Sequence, residues 1–199
     1  MFDIFETPID LPSESAHSIG LDSSNSFGLN NISNNNAKIF VVSVGGSLLF
    51  DKSPNVSFLS KLSSSIKTLR DHGYQFVLVG GGGSIARDYI SAVKSLGSNK
   101  IMQDLIGMQA AQANAWLLIN AIEGTSSKPL NEITQCKDFL NQNKIPVFAG
   151  LLPGLTSDTV AVLLAEYLNA SFWLPFAKHP PAFEHPHVTR MDAPFAGMT

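Results

Sequence analysis

Residues 77–90 read Val-Leu-Val-Gly-Gly-Gly-Gly-Ser-Ile-Ala-Arg-Asp-Tyr-Ile, an apolar β-forming run that empties into four consecutive glycines and then a helical segment. Few folds accept such a run. Glycines 80–83 bring backbone N–H groups close to a ligand with no Cβ in the way, and the helix that follows adds unpaired donors and a favourable dipole. Arg87 supplies a permanent charge and a planar fork matched to phosphate oxygens. The pattern therefore reads as an anion-binding strand–turn–helix. A glycine turn needed only for close strand–helix packing is the competing reading.

A second turn of the same kind precedes it. Residues 38–44 form a short apolar strand that ends in Gly45, Gly46 and Ser47 before the next helical segment. Two such turns on neighbouring strands suggest a ligand with two phosphate-bearing parts, such as a donor and an acceptor nucleotide. Neither turn has the Gly-x-x-x-x-Gly-Lys-Ser/Thr run of a P-loop or the Gly-x-Gly-x-x-Gly spacing of a dinucleotide site.

Beyond the glycines, strands and helices alternate. Phe58, Leu59, Leu62, Ile66 and Leu69 fall at helical spacing, with the helix ending near His72 and Gly73. A strand over 75–79 leads into the glycine run. The next helix, over 84–96, turns Ile85, Tyr89, Val93 and Leu96 to its apolar side, with Gly97 as its C-terminal cap. The helix predicted over 103–122 is unusually apolar, which implies burial on more than one face or a subunit contact. A short helix over 131–141 and a buried strand over 145–149 follow. That strand opens into a loop, 150–158, bearing Thr156, Ser157 and Asp158, and then a helix over 159–168. Such alternation argues for a mostly parallel sheet covered on both faces, with ligands beyond the carboxyl ends of the strands. All three loops fall on that edge.

Composition excludes several function classes. The chain has 199 residues, 44% of them hydrophobic, enough for one sizeable α/β core. A net charge of −3 with 15% charged residues provides no basic field for nucleic acid or an anionic membrane. Cys136 is the only cysteine, which excludes an intramolecular disulfide and fits a reducing cytoplasm. No apolar run approaches the roughly 20 residues that span a bilayer, so a soluble, cytoplasmic protein is expected. Residues 1–37 hold no Lys or Arg and pass into an Asn/Ser-rich stretch, which reads as a disordered segment and not as a targeting signal.

With Val-Gly-Gly-Ser at 44–47, Gly-Gly-Gly-Ser-Ile-Ala-Arg at 81–87, Asp-Leu-Ile-Gly-Met at 104–108 and Pro-Gly-Leu-Thr-Ser-Asp at 153–158, the chain resembles the amino-acid kinase superfamily. Within it the likeness is greatest to archaeal-type uridylate (UMP) kinases, over residues 38–171. The resemblance implies a three-layer αβα sandwich that transfers a phosphoryl group from ATP to UMP in pyrimidine nucleotide synthesis, with Mg2+, in a homo-oligomer. It further implies roles for individual residues. Gly45, Gly46 and Ser47 would cradle the transferring phosphate of ATP, with Gly83 and Arg87 at the boundary of the two nucleotides' phosphates. Gly82 and Asp104 would contact UMP. Leu151, Leu152, Pro153, Gly154, Leu155, Thr156 and Ser157 would close over the uridine, and Asp158 would organise the catalytic polar groups and the metal. Such chemistry needs positioning and charge neutralisation more than a covalent nucleophile.

Each assignment has a plainer counterpart. Asp104 and Asp158 sit near predicted helix starts and would complement a helix dipole, Thr156 and Ser47 would serve as N-caps, and Met102, Met108 and Trp116 read as packing residues. The chain also departs from the family pattern. Ser43 stands where many members carry a first-strand lysine, and after Ala170 the family continues into a long portion that binds the adenine and ribose of ATP. Here residues 172–199 hold Pro175, Pro180, Pro181, Pro186 and Pro194, which predicts an irregular tail and a C-terminally truncated fold. His179, His185 and His187 in that tail raise a metal-site reading as an alternative to a plain Pro-rich tail. A UMP-binding pseudokinase and a molybdenum-storage-like oxyanion binder are the competing functions.

Overall fold

The computed structural model describes residues 38–170 and the backbone of 172–176. The expectations for residues 1–37 and for the three histidines of the tail lie outside the described residues.

Strand β1 (Ile39–Val44) and strand β2 (Gln75–Gly80) pair in parallel from Ile39 opposite Gln75 to Val44 opposite Gly80. Both are buried along nearly their whole length, as continuous apolar runs must be when each face of a parallel sheet is covered. Alternation then sorts their side chains into two cores. Phe40, Val42, Val44, Phe76 and Leu78 meet α2 (Val56–Asp71) through Phe58, Leu62 and Ile66, and α4 (Lys100–Ala121) through Ala111, Ala115 and Leu118. On the opposite face Val41, Val77 and Val79 pack on Cys136 and Leu140 of α5 (Cys136–Asn141) and on Val160, Ala161, Leu164 and Ala165 of α6 (Ser157–Leu168). The result is the expected three-layer sandwich. With β3 (Val147–Phe148) and β4 (Phe172–Phe176) the sheet order is β3-β2-β1-β4, parallel throughout.

Local chemistry sets the helix ends. The Asn55 side chain accepts the Phe58 N–H at 3.1 Å to start α2, and the Asn99 side chain accepts the Met102 N–H at 3.0 Å to start α4. Asn169, in the left-handed region, ends α6.

Three expectations change. The buried run 145–149 contributes only Val147–Phe148 as strand β3, because Pro146 has no N–H to give a ladder; Ile145 instead bridges to Thr125, and Phe148 bridges to Leu130. The irregularity expected from residue 172 onward does not hold at its start, since Phe172–Phe176 form β4, paired in parallel with β1 with Pro175 opposite Ser43. A strand at the edge of the described sheet needs ladder bonds on one side only, so it tolerates one missing donor. Helix α3 (Gly83–Ser95) does not bury the predicted face: Ala86 is its one buried residue, while Tyr89 is 52% exposed and Leu96, just beyond it, 84%. Helix α4 buries Ala110, Ala111, Asn114, Ala115 and Leu118, yet leaves Ile101, Met102, Leu105 and Trp116 exposed.

Candidate active site

Because all strands run in parallel, the turns after β1 and β2 and the loop after β3 open on one edge. The first two turns are in contact. Gly46 opens the short helix α1 (Gly46–Leu49), and a Cβ at that position would overlap the Gly83 nitrogen and the Gly82 carbonyl carbon. Gly83 has φ +65°, a conformation that other residues rarely adopt, and a Cβ there would run into Gly46. The glycines are thus required by the approach of one turn to the other. The Gly81 N–H donates to Val44 O at 2.9 Å and locks the pair together.

Beside these turns lies a cavity of about 350 Å³. Its wall includes Gly81, Gly82 and Gly83 from the second turn, Asp104 and Met108 from α4, and Leu152, Gly154, Leu155, Thr156 and Ser157 from the third loop. Residues called from separate motifs therefore meet in one place. Asp104 pairs with Lys100 at 3.2 Å, one helical turn away, and Lys100 lines the same wall. Met108 faces Gly150 closely enough that a Cβ there would sit 2.7 Å from its Cγ, so this methionine shapes the wall as well as packing.

Other expected residues lie outside the wall. Gly45, Gly46 and Ser47 are not in the wall itself; Gly46 lies against Gly81, Gly82 and Gly83, and the Ser47 nitrogen against Gly83. Arg87 stands exposed on α3, Pro153 is exposed, and Leu151 packs against the second core. Asp158, in the first turn of α6, accepts a hydrogen bond from the buried Ser43 hydroxyl at 2.6 Å. That bond joins the end of β1 to the start of α6. Thr156 does act as an N-cap, accepting the Thr159 N–H at 3.1 Å while its residue lines the cavity.

One site residue escaped the sequence reading. Asn114 is 2% exposed on α4, and its side-chain amide donates to Gly81 O at 2.8 Å and to Gly82 O at 3.2 Å. The available signal was helical spacing, which puts Asn114, unlike the neighbouring Gln112, in line with the apolar stripe of Ala111, Ala115 and Leu118. Among the described residues no group of three or more His, Cys, Asp or Glu could hold a metal ion. Cys136 is fully buried and has no part in the site; burial pushes its thiol up to about 12, against a smaller downward pull from Lys137.

A parallel sheet covered by helices on both faces, with glycine turns and a cavity at its carboxyl edge, defines a three-layer α/β protein of the ligand-binding kind. The model of the amino acid kinase family matches residues 38–173, and the chain belongs to that family. It is 41% identical over 134 residues to a uridylate kinase of Methanococcoides burtonii, a match covering 66% of this chain and 56% of that protein. Against a uridylate kinase of Thermococcus sibiricus it is 39% identical over 132 residues, covering 65% of this chain and 58% of the relative. The crystal structure of uridylate kinase from Archaeoglobus fulgidus superimposes with a TM-score of 0.65 at 29% identity, over 74% of this chain and 66% of that one. The chain thus spans little more than half the length of the curated relatives it matches.

Proposed function

We propose that the chain is a UMP kinase, in which ATP phosphorylates UMP to UDP, and that the cavity is its acceptor site. The observation that carries this reading is the convergence of Gly82, Gly83, Asp104 and residues 154–157 on one cavity, in a chain whose relatives of 39–41% identity are uridylate kinases. The phosphate of UMP would lie against the Gly82 and Gly83 N–H groups, where an anion meets backbone donors and the α3 N-terminus. Asp104 would accept from the ribose, and Thr156 and Ser157 would offer hydroxyls to the uridine. Gly45, Gly46 and Ser47, next to Gly83, would receive the transferring phosphate of ATP.

Arg87 would reach the phosphates from outside the wall, its length allowing the guanidinium to fold over the turn. Mg2+ when bound neutralises charge on the transferring group, and it holds most of its shell as water and phosphate oxygens. It would therefore ask little of the protein, and Asp158, tied to Ser43 beside the first turn, is the carboxylate suited to it. Exposed Leu96, Ile101, Met102 and Leu105 around the α3–α4 turn support a homo-oligomer.

Calorimetric titration of the full chain with UMP, followed by a coupled assay for ADP release from ATP, tests the reading. Saturable UMP binding with ADP release is expected. No UMP binding by folded protein would sink it, and binding without turnover would reduce it to the acceptor site alone.

A further inference from the structure

A run of four glycines has no preference of its own for which side of the turn its peptide groups show. Without a Cβ, the peptides of an isolated glycine run can take either orientation, and a flip exchanges N–H for C=O. One orientation offers donors to an anion; the other repels it. Something outside the run must choose.

We infer that Asn114 is that group, a positioning residue that sets the polarity of the glycine turn toward the phosphate of a nucleotide. Its amide donates to both Gly81 O and Gly82 O, and at 2% exposure it lies on the closed side of the turn. In a trans peptide the carbonyl and the N–H point in opposite directions. Holding Gly81 O toward Asn114 therefore aims the Gly82 N–H away from it, and holding Gly82 O does the same for the Gly83 N–H. The Gly81 N–H is spent on Val44 O, and Gly82 O also takes the Ala86 N–H at 3.2 Å, so the Gly82–Gly83 peptide is shared with α3 while among the described residues Asn114 alone holds the Gly81–Gly82 peptide. Among the described residues the Gly82 and Gly83 N–H groups have no acceptor, so they are the donors left for a ligand. Asn114 itself does not line the cavity and acts through the turn.

This inference rests on reading the cavity as a phosphate site, and its test separates the two. Asn114→Asp keeps the shape but replaces the donor with an acceptor facing two carbonyl oxygens, and Asn114→Ala removes the donor should the first variant not fold. In ligand-free protein the Gly82 and Gly83 amide signals should move in the nuclear magnetic resonance spectrum of either variant; unchanged signals overturn the role of Asn114 whether or not UMP binds. Affinity for UMP should fall about tenfold or more, the scale of a lost charge-bearing contact, while affinity for uridine, which lacks the phosphate, should stay within about twofold. Equal losses for UMP and uridine would show general damage and overturn the inference, as would wild-type UMP affinity in a folded variant. Failure of the wild-type chain to bind UMP would instead refute the proposed function.

Discussion

Ser43 and Asp158 lie 115 positions apart and meet at 2.6 Å. The serine is 1% exposed, so its hydroxyl must be bonded to be tolerated there, and the carboxylate at the first turn of α6 meets that need. Ser43→Ala should cost about 1.5 kcal/mol, the low end for a hydrogen bond to a charged group because Asp158 keeps some contact with water. Urea unfolding measures this, and a midpoint equal to wild type would show the bond contributes nothing. Turnover should fall more than UMP affinity in the same variant, since Asp158 lies outside the cavity wall. Arg87→Ala makes a complementary prediction. UMP affinity should drop by about 1.5–3 kcal/mol if the exposed guanidinium folds over the phosphate; an unchanged titration would leave the glycine turn as the whole anion site.

The elements that build the site are joined by contacts too close for side chains. Gly46 at the start of α1 and Gly83 at the start of α3 touch through backbone atoms. Gly46→Ala forces the two turns apart, and because no flexible side chain can yield, a loss of about 3 kcal/mol is expected together with loss of UMP binding. Thermal melts and calorimetry check both parts. The α6 N-terminus is held more loosely. Thr156→Ala removes the cap on the Thr159 N–H and should cost about 1 kcal/mol, a change in the unfolding midpoint that a mere loop residue would not produce. The motif positions of these elements were legible because turn glycines and caps are local signals. The buried face of α3 was not, because helical spacing alone admits more than one apolar stripe and the neighbouring α4 selected the one through Ala86.

Among the described residues, the buried members of both cores fall within residues 40–165. A chain lacking residues 1–36 is accordingly expected to melt at the temperature of the full chain and to bind UMP equally well; a lowered melting temperature would reveal a structural contribution from that segment. Cys136 gives the molecule one pH signature. Burial pushes its folded thiol up to about 12 from an ordinary 9.0. Between these values the unfolded chain releases the thiol proton and the folded chain keeps it, so the Cys136 contribution to stability is full below pH 9 and is lost as pH rises toward 12. The stability difference between wild type and Cys136→Ala should narrow over that window, and a constant difference would show that the thiol does not remain protonated on folding. Among the described residues no helix is long and apolar enough to cross a membrane.

The order of strands, helices and glycine turns follows from the sequence alone, because β-branched runs, helical periodicity and glycine punctuation act over a few residues. Parallel pairing followed as well, since near-continuous apolar strands separated by helices have few other ways to bury both faces. Which side chains meet was decided only when the sheet closed. The Asn114 contact with Gly81 spans 33 positions, the Ser43 contact with Asp158 spans 115, and Pro175 found its place in β4 only against β1. Arg87, legible as a motif residue, was set outside the cavity wall by the rotation of α3. Local patterns carry the energetics of turns and periods, whereas a side chain's partner depends on sheet order and helix rotation, which many distant contacts determine together.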